Sequence, residues 1–205
     1  VPFFSDYRRP MTSHPVVEAI TALLEVFHAR WSYESLFALL KTDLFPISRQ
    51  EADVLENYCL AYGIQGYHWL NDTDWTYTKK RYLDETSEEG LQEKERLDTI
   101  NAIRRRVVEI LLPFWNEAQK EHDLKTWCTL LYQWLVRMQV PQTLRKWKEE
   151  DHEKGQAVDE KEHEQVWKRI LLFLDEIVHV CGDDVVSLRE FSQIVTDGLR
   201  ELKFS

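Results

Sequence analysis

"LENYCLAYGIQGYHW", residues 55–69, is where two kinds of pattern meet. A helical pattern runs into Gly63, the residue type that most often ends a helix, and a second glycine follows at Gly66. Tyr67, His68 and Trp69 then crowd together, with Trp75, Tyr77, a cationic run Lys79-Lys80-Arg81 and Tyr82 soon after. Two roles fit such a segment. It packs as a structural plug, or it touches a partner with flat faces and negative charge.

Outward from this segment the pattern is helical in both directions. Toward the N-terminus, "SRQE" at 48–51 is a capping box opening the helix that ends at Gly63. Ser32 caps a short helix carrying Leu36, Phe37, Leu39 and Leu40. Ser13 or His14 caps another that has Pro15 in its first turn and Val16, Val17, Ile20, Leu23, Leu24 and Phe27 at helical spacing. Residues 1–13, with Pro2 and Pro10, read as an extended approach segment, and 14–205 as the helical domain. Toward the C-terminus a long helix starts near Ser87 and buries Leu97, Ile100, Ile103, Val107, Leu111 and Phe114. Pro113 is expected to kink or split it. Asp123 caps the next helix. Charged helices start near Pro141 and near Asp159, the second running to Gly182. A second capping box, "SLRE" at 187–190, opens the last helix. No alternating run stands out as a strand, so the chain is expected to be all-α with about eight helices.

Composition narrows the function. The 205 residues are 43% hydrophobic and 30% charged, which suits a globular domain with a sizeable core. A formal net charge of -10 means that any contact with nucleic acid must be local, because a domain that clamps DNA alone has a basic footprint. Cys59, Cys128 and Cys181 are widely spaced, with no CxxC pair. They are expected to be reduced, buried thiols of a cytoplasmic protein. No apolar run approaches the ~18 residues a membrane span needs, and no signal peptide is visible. The chain starts at Val1 and stops at Ser205 just after a helix, and it is expected to be an excised piece of something longer.

Catalytic and metal signatures are sparse. The sequence holds no GxxxxGK[ST], GxSxG or HExxH, so no catalytic residue is assigned. His122-Asp123, with His28 and Asp175 as partners, suggests a phosphohydrolase-type metal pair, but Asp123 is also a helix cap. Asp151-His152-Glu153 and Glu162-His163-Glu164 lie in the most charged part of the chain and read as a solvated helix face. No metal site is assigned. Arg104, Arg105 and Arg106 are consecutive on a helix, where ~100° steps splay them apart. Lys79, Lys80 and Arg81 instead fall in a loop, where three cations can face one phosphate backbone. The candidate DNA contacts are Gly63, Gln65 and Gly66, where backbone approaches phosphate closely; Lys79, Lys80 and Arg81 for charge; and Trp69 and Trp75 as stacking surfaces.

The segment 6–44, "DYRRPMTSHPVVEAITALLEVFHARWSYESLFALLKTDL", followed by 55–69, closely resembles the B subunit of AddAB (RexAB) helicase–nucleases. Its most specific pieces are HPVVE at 14–18, WSYESLFALLKT at 31–42 and LENYCLAYGIQG at 55–66. The closing "LREFSQIVTDGLRELKFS" resembles the family's segment just before a helicase-like core domain resumes. The resemblance covers essentially the whole chain. It implies a compact domain similar to the helical 2B subdomain of superfamily 1 helicases, set in a subunit that resects DNA double-strand breaks with an AddA-type partner. It further implies that the parent's ATP, magnesium and 4Fe–4S cluster lie outside this segment. Helicase 2B subdomains carry a Gly-Ile-Gly-type duplex contact, from which Gly63-Ile64-Gln65-Gly66 differs by one inserted residue. The other role open to such a domain is as a protein–protein scaffold with no direct DNA contact.

Overall fold

The computed structural model describes residues 9–79, 84 and 86–204. Among them are eight α-helices: α1 (Pro15–His28), α2 (Tyr33–Leu40), α3 (Arg49–Tyr62), α4 (Glu88–Ala118), α5 (Leu124–Arg137), α6 (Val140–Glu153), α7 (Ala157–Cys181) and α8 (Leu188–Glu201). Most begin at a cap legible in sequence. His14 Nδ1 accepts the Val16 N–H and so caps α1, with Pro15 at its first position. Ser32 caps α2, Ser87 caps α4, and Asp123 accepts the Thr126 N–H at 2.7 Å. Both capping boxes form, Ser48 with Glu51 and Ser187 with Glu190, each side chain answering the other's backbone. Gly63 ends α3 at φ 64°, and both its N–H and that of Ile64 return to Cys59 O. This left-handed cap is nearly free of steric cost for glycine alone.

Packing follows chain order. α1 lies on α2, α2 on α3, α3 on α4, α4 on α5, and α5 on both α6 and α7; α8 then returns to α1 and closes the unit. One contiguous apolar core runs through it, including Trp31, Trp127, Trp134, Phe114 and Phe191. Trp127 stacks on Phe191 at 5.2 Å and donates its indole N–H to Val186 O at 3.0 Å. Gly198 lets α8 pass beneath Phe173, whose ring leaves no room for a Cβ. All three cysteines fall on helices. Burial pushes the Cys59 and Cys128 thiols up to about 12, and Cys181 is half-buried.

Two findings refine the sequence reading. Pro113 does not split α4, which continues to Ala118. And a minimal antiparallel sheet exists: β1 (His122–Asp123) pairs with β2 (Val185–Val186), while Pro10 bridges Lys203. Both pairings close the ends of long helical excursions. They involve too few residues to leave an alternating pattern.

Candidate nucleic-acid interface

The aromatic segment after Gly63 is ordered from below by α4. Gly66 adopts φ 61°, its N–H donating to Trp31 O at 2.9 Å, and residues Gly66–Leu70 wind into a 3-10 helix. Arg104 reaches up from α4 to the carbonyls of His68 (3.3 Å), Trp69 (3.2 Å), Asn71 and Thr73 (2.8 Å). Its guanidinium also lies over the Trp75 ring, 4.6 Å from the centroid. Burial lowers the Arg104 pKa from its ordinary value, yet guanidinium remains charged in proteins. One turn earlier, Asn101 accepts the Trp75 N–H at 2.8 Å and donates to Trp75 O at 2.9 Å, which imitates a strand partner. Trp75 donates its indole N–H to His68 O, and Tyr58 donates its hydroxyl to Tyr77 O.

This arrangement sorts the candidate contacts into two sets. Trp69 is 1% exposed and Trp75 4%; they meet edge to face at 4.9 Å, and Trp75 also stacks on Tyr58. Neither ring has a free face for a base, which corrects the stacking role expected of them. Large flat rings placed over an apolar helix face lower the free energy most by closing it. Gly63, Gln65 and Lys79 are exposed and Gly66 half-exposed. The accessible rings of the segment are Tyr67, 73% exposed, and Tyr77, 46% exposed. Lys80 and Arg81 lie outside the described residues. The segment thus has a packed inner face and an exposed outer one.

Arg104, Arg105 and Arg106 diverge as their helical steps require. Arg104 turns inward, Arg105 pairs with Asp74 at 2.5 Å, and Arg106 pairs with Glu51 of the α3 capping box. The guanidinium of Arg105 holds the Asp74 carboxyl below its usual range. Sequence reasoning missed Asn101, and it considered Arg104 only as one of three diverging cations, not as the support of this segment. The signal was available: both flank the apolar stripe of α4, where a polar side chain must find buried partners.

Elsewhere, His122 contacts Glu117 and Asp123 acts as a cap, while His28 and Asp175 are exposed on other elements. Among the described residues no group of three or more His, Cys, Asp or Glu side chains is arranged to hold a metal. The acidic, histidine-bearing runs are only half solvated. His152, Glu153 and Glu164 face water. Asp151, Glu162 and His163 instead turn inward, toward His14 and Arg9, which corrects the solvated-face reading for these three.

The geometry can be set beside known proteins. No family model matches the chain. Curated relatives do, and each of the following is the B-type subunit of an ATP-dependent helicase/deoxyribonuclease. The protein from Desulforamulus reducens is 36% identical over 203 residues, covering 99% of this chain and 18% of the relative. That from Symbiobacterium thermophilum is 38% identical over 208 residues, again 99% and 18%. That from Bacillus mycoides is 34% identical over 213 residues, 100% and 18%. The chain therefore spans under a fifth of the length of the relatives it matches. With identity of this order running from end to end, the chain belongs to the family of ATP-dependent helicase/deoxyribonuclease B subunits, as a mostly α-helical segment of them.

Proposed function

We propose that this chain is a non-catalytic helical domain, akin to a helicase 2B subdomain, in the B-type subunit of a helicase–nuclease that resects DNA double-strand breaks for recombinational repair. An AddA-type subunit is its partner in that assembly. Within the domain, the outer face of residues 63–79 lies next to duplex DNA. The observation that carries this reading is the division of labour just described. Arg104 and Asn101 hold the segment rigidly from below, and Gly63, Gln65, Tyr67, Tyr77 and Lys79 remain on its outer side. A rigid ridge with two accessible rings, followed in sequence by Lys80 and Arg81, suits a backbone contact that does not read bases. The net charge of -10 supports a second reading, in which the same ridge docks on the partner subunit.

A salt series separates the two. Binding of the reconstituted heterodimer to a blunt duplex end would be measured for wild type and for Lys79→Ala/Lys80→Ala/Arg81→Ala. Each lost phosphate contact removes about 0.9 from the log–log salt slope, so the triple variant should be flatter by up to about 3. Unchanged slope and affinity, together with weakened association of the two subunits, would leave the docking reading.

A further inference from the structure

A second ordered polar centre lies where the two ends of the described chain meet the α6–α7 hairpin. Pro10 bridges Lys203, Met11 N–H donates to Leu202 O at 2.9 Å, and Phe204 N–H donates to Arg9 O at 2.9 Å. Beside this junction three side chains form a line. His163 Nε2 is 3.0 Å from Asp151 Oδ2, His163 Nδ1 is 3.0 Å from His14 Nε2, and His14 Nδ1 is 3.2 Å from the Val16 N–H. His14 is 5% exposed, and the side chains of His163 and Asp151 are 13% and 16% exposed.

These contacts admit one arrangement of protons. The backbone N–H of Val16 can only donate, so His14 Nδ1 accepts and its proton sits on Nε2. That proton is donated to His163 Nδ1, which fixes the His163 proton on Nε2 and points it at the Asp151 carboxylate. A proton added to either ring has no place in this line. On His14 Nδ1 it would confront the Val16 N–H; on His163 Nδ1 it would confront the His14 Nε2–H. Either position breaks one link of the chain.

We propose that the Asp151–His163–His14 relay is a proton-sensitive latch, which ties the α6–α7 hairpin to the junction of residues 9–11 with residues 202–204 while both rings are neutral and releases it when either gains a proton. Each helix of the hairpin contributes one member: Asp151 lies near the end of α6 and His163 in the second turn of α7. Other charged groups face the relay from every element around it. Arg9, on the approach segment, pairs with Glu162 of α7 at 2.6 Å, and Asp159 of α7 lines the same pocket. Carboxylates and a guanidinium thus stand together beside the two rings. Trp147 of α6 packs against His163, and Phe204 against His14. Burial, with His163 alongside, lowers the His14 pKa to about 4, so His14 is neutral at neutral pH.

Two measurements on the 205-residue chain test this. Imidazole nitrogen NMR at pH 7 should show His14 and His163 both neutral and both protonated on Nε2; a charged ring or an Nδ1–H tautomer at either site overturns the relay. Hydrogen exchange of His14→Asn would be compared with wild type, because asparagine keeps the cap of α1 while removing the link to His163. Exchange at residues 151–165 should rise at least about tenfold relative to wild type, with α3 and α4 unchanged. Unaltered exchange at 151–165, or an equal rise throughout the chain, overturns the latch. The NMR result decides by itself should the variant fail to fold.

Discussion

Arg104 shows how one residue can organise a segment that has almost no regular structure. Residues 68–73 present carbonyl oxygens toward α4, and buried carbonyls without donors are costly. A guanidinium supplies several donors in one plane, so a single side chain satisfies His68, Trp69, Asn71 and Thr73 together. Arg104→Leu keeps the apolar contact and removes every donor. We expect a loss on the order of 3 kcal/mol in denaturant unfolding, with red-shifted tryptophan emission as Trp69 and Trp75 meet water. Arg104→Lys should recover only part of this, because an ammonium cannot span the same fork. A stability within about 0.5 kcal/mol of wild type for Arg104→Leu, the range of an ordinary surface change, would show that the carbonyls find other partners.

At the scale of elements, α4 shows how a helix can carry an interior proline. Pro113 deletes one N–H and frees the carbonyl four residues earlier, at Glu109. Both residues are exposed, so water can take that carbonyl, while Val107, Leu111 and Phe114 anchor the helix on either side of the lesion. The helix therefore runs on at some cost in free energy. Pro113→Ala should stabilise the protein by about 1–3 kcal/mol, a part of the usual penalty for an interior proline. Chemical denaturation measures it, and a destabilised variant would show that the proline is required for the local geometry. The capping boxes at Ser48 and Ser187 behave in the opposite way: their spacing is purely local, so no tertiary contact was needed to predict them.

At the scale of the whole molecule, the returning α8, the small strand pairings and the buried His14 link distant parts of the chain. His14 caps α1 and contacts His163, 149 residues away. Its folded pKa of about 4 lies below the ordinary 6.5, so the unfolded chain takes up a proton that the folded chain refuses. The stability this confers is complete above about pH 6.5 and is lost progressively as pH falls toward 4. Between pH 7 and pH 5 the loss from this group should be about 2 kcal/mol. Burial raises the neighbouring Glu162 carboxyl, which works in the opposite sense. The difference between wild type and His14→Asn therefore isolates the histidine: the variant should lose correspondingly less stability over the same interval. Parallel pH profiles for the two proteins would remove His14 from the account.

What the sequence by itself determined was everything carried by short-range spacing. The all-α class, the positions of the helices, the caps, the glycine terminator of α3 and the family resemblance all rest on residues a few places apart. The divergence of Arg104, Arg105 and Arg106 is equally a matter of helical rotation. Only the tertiary structure decided which face of residues 63–79 is buried, because Trp75 and Trp69 turn inward to Asn101 and Arg104 of α4, which lie 26 and 35 positions away. It likewise turned Asp151, Glu162 and His163 from a charged helix surface into an ordered centre, through His14 and Arg9 at the far end of the chain. Aromatic and ionisable residues are amphipathic, so local sequence permits either orientation. The partner that packing brings to each one selects between them.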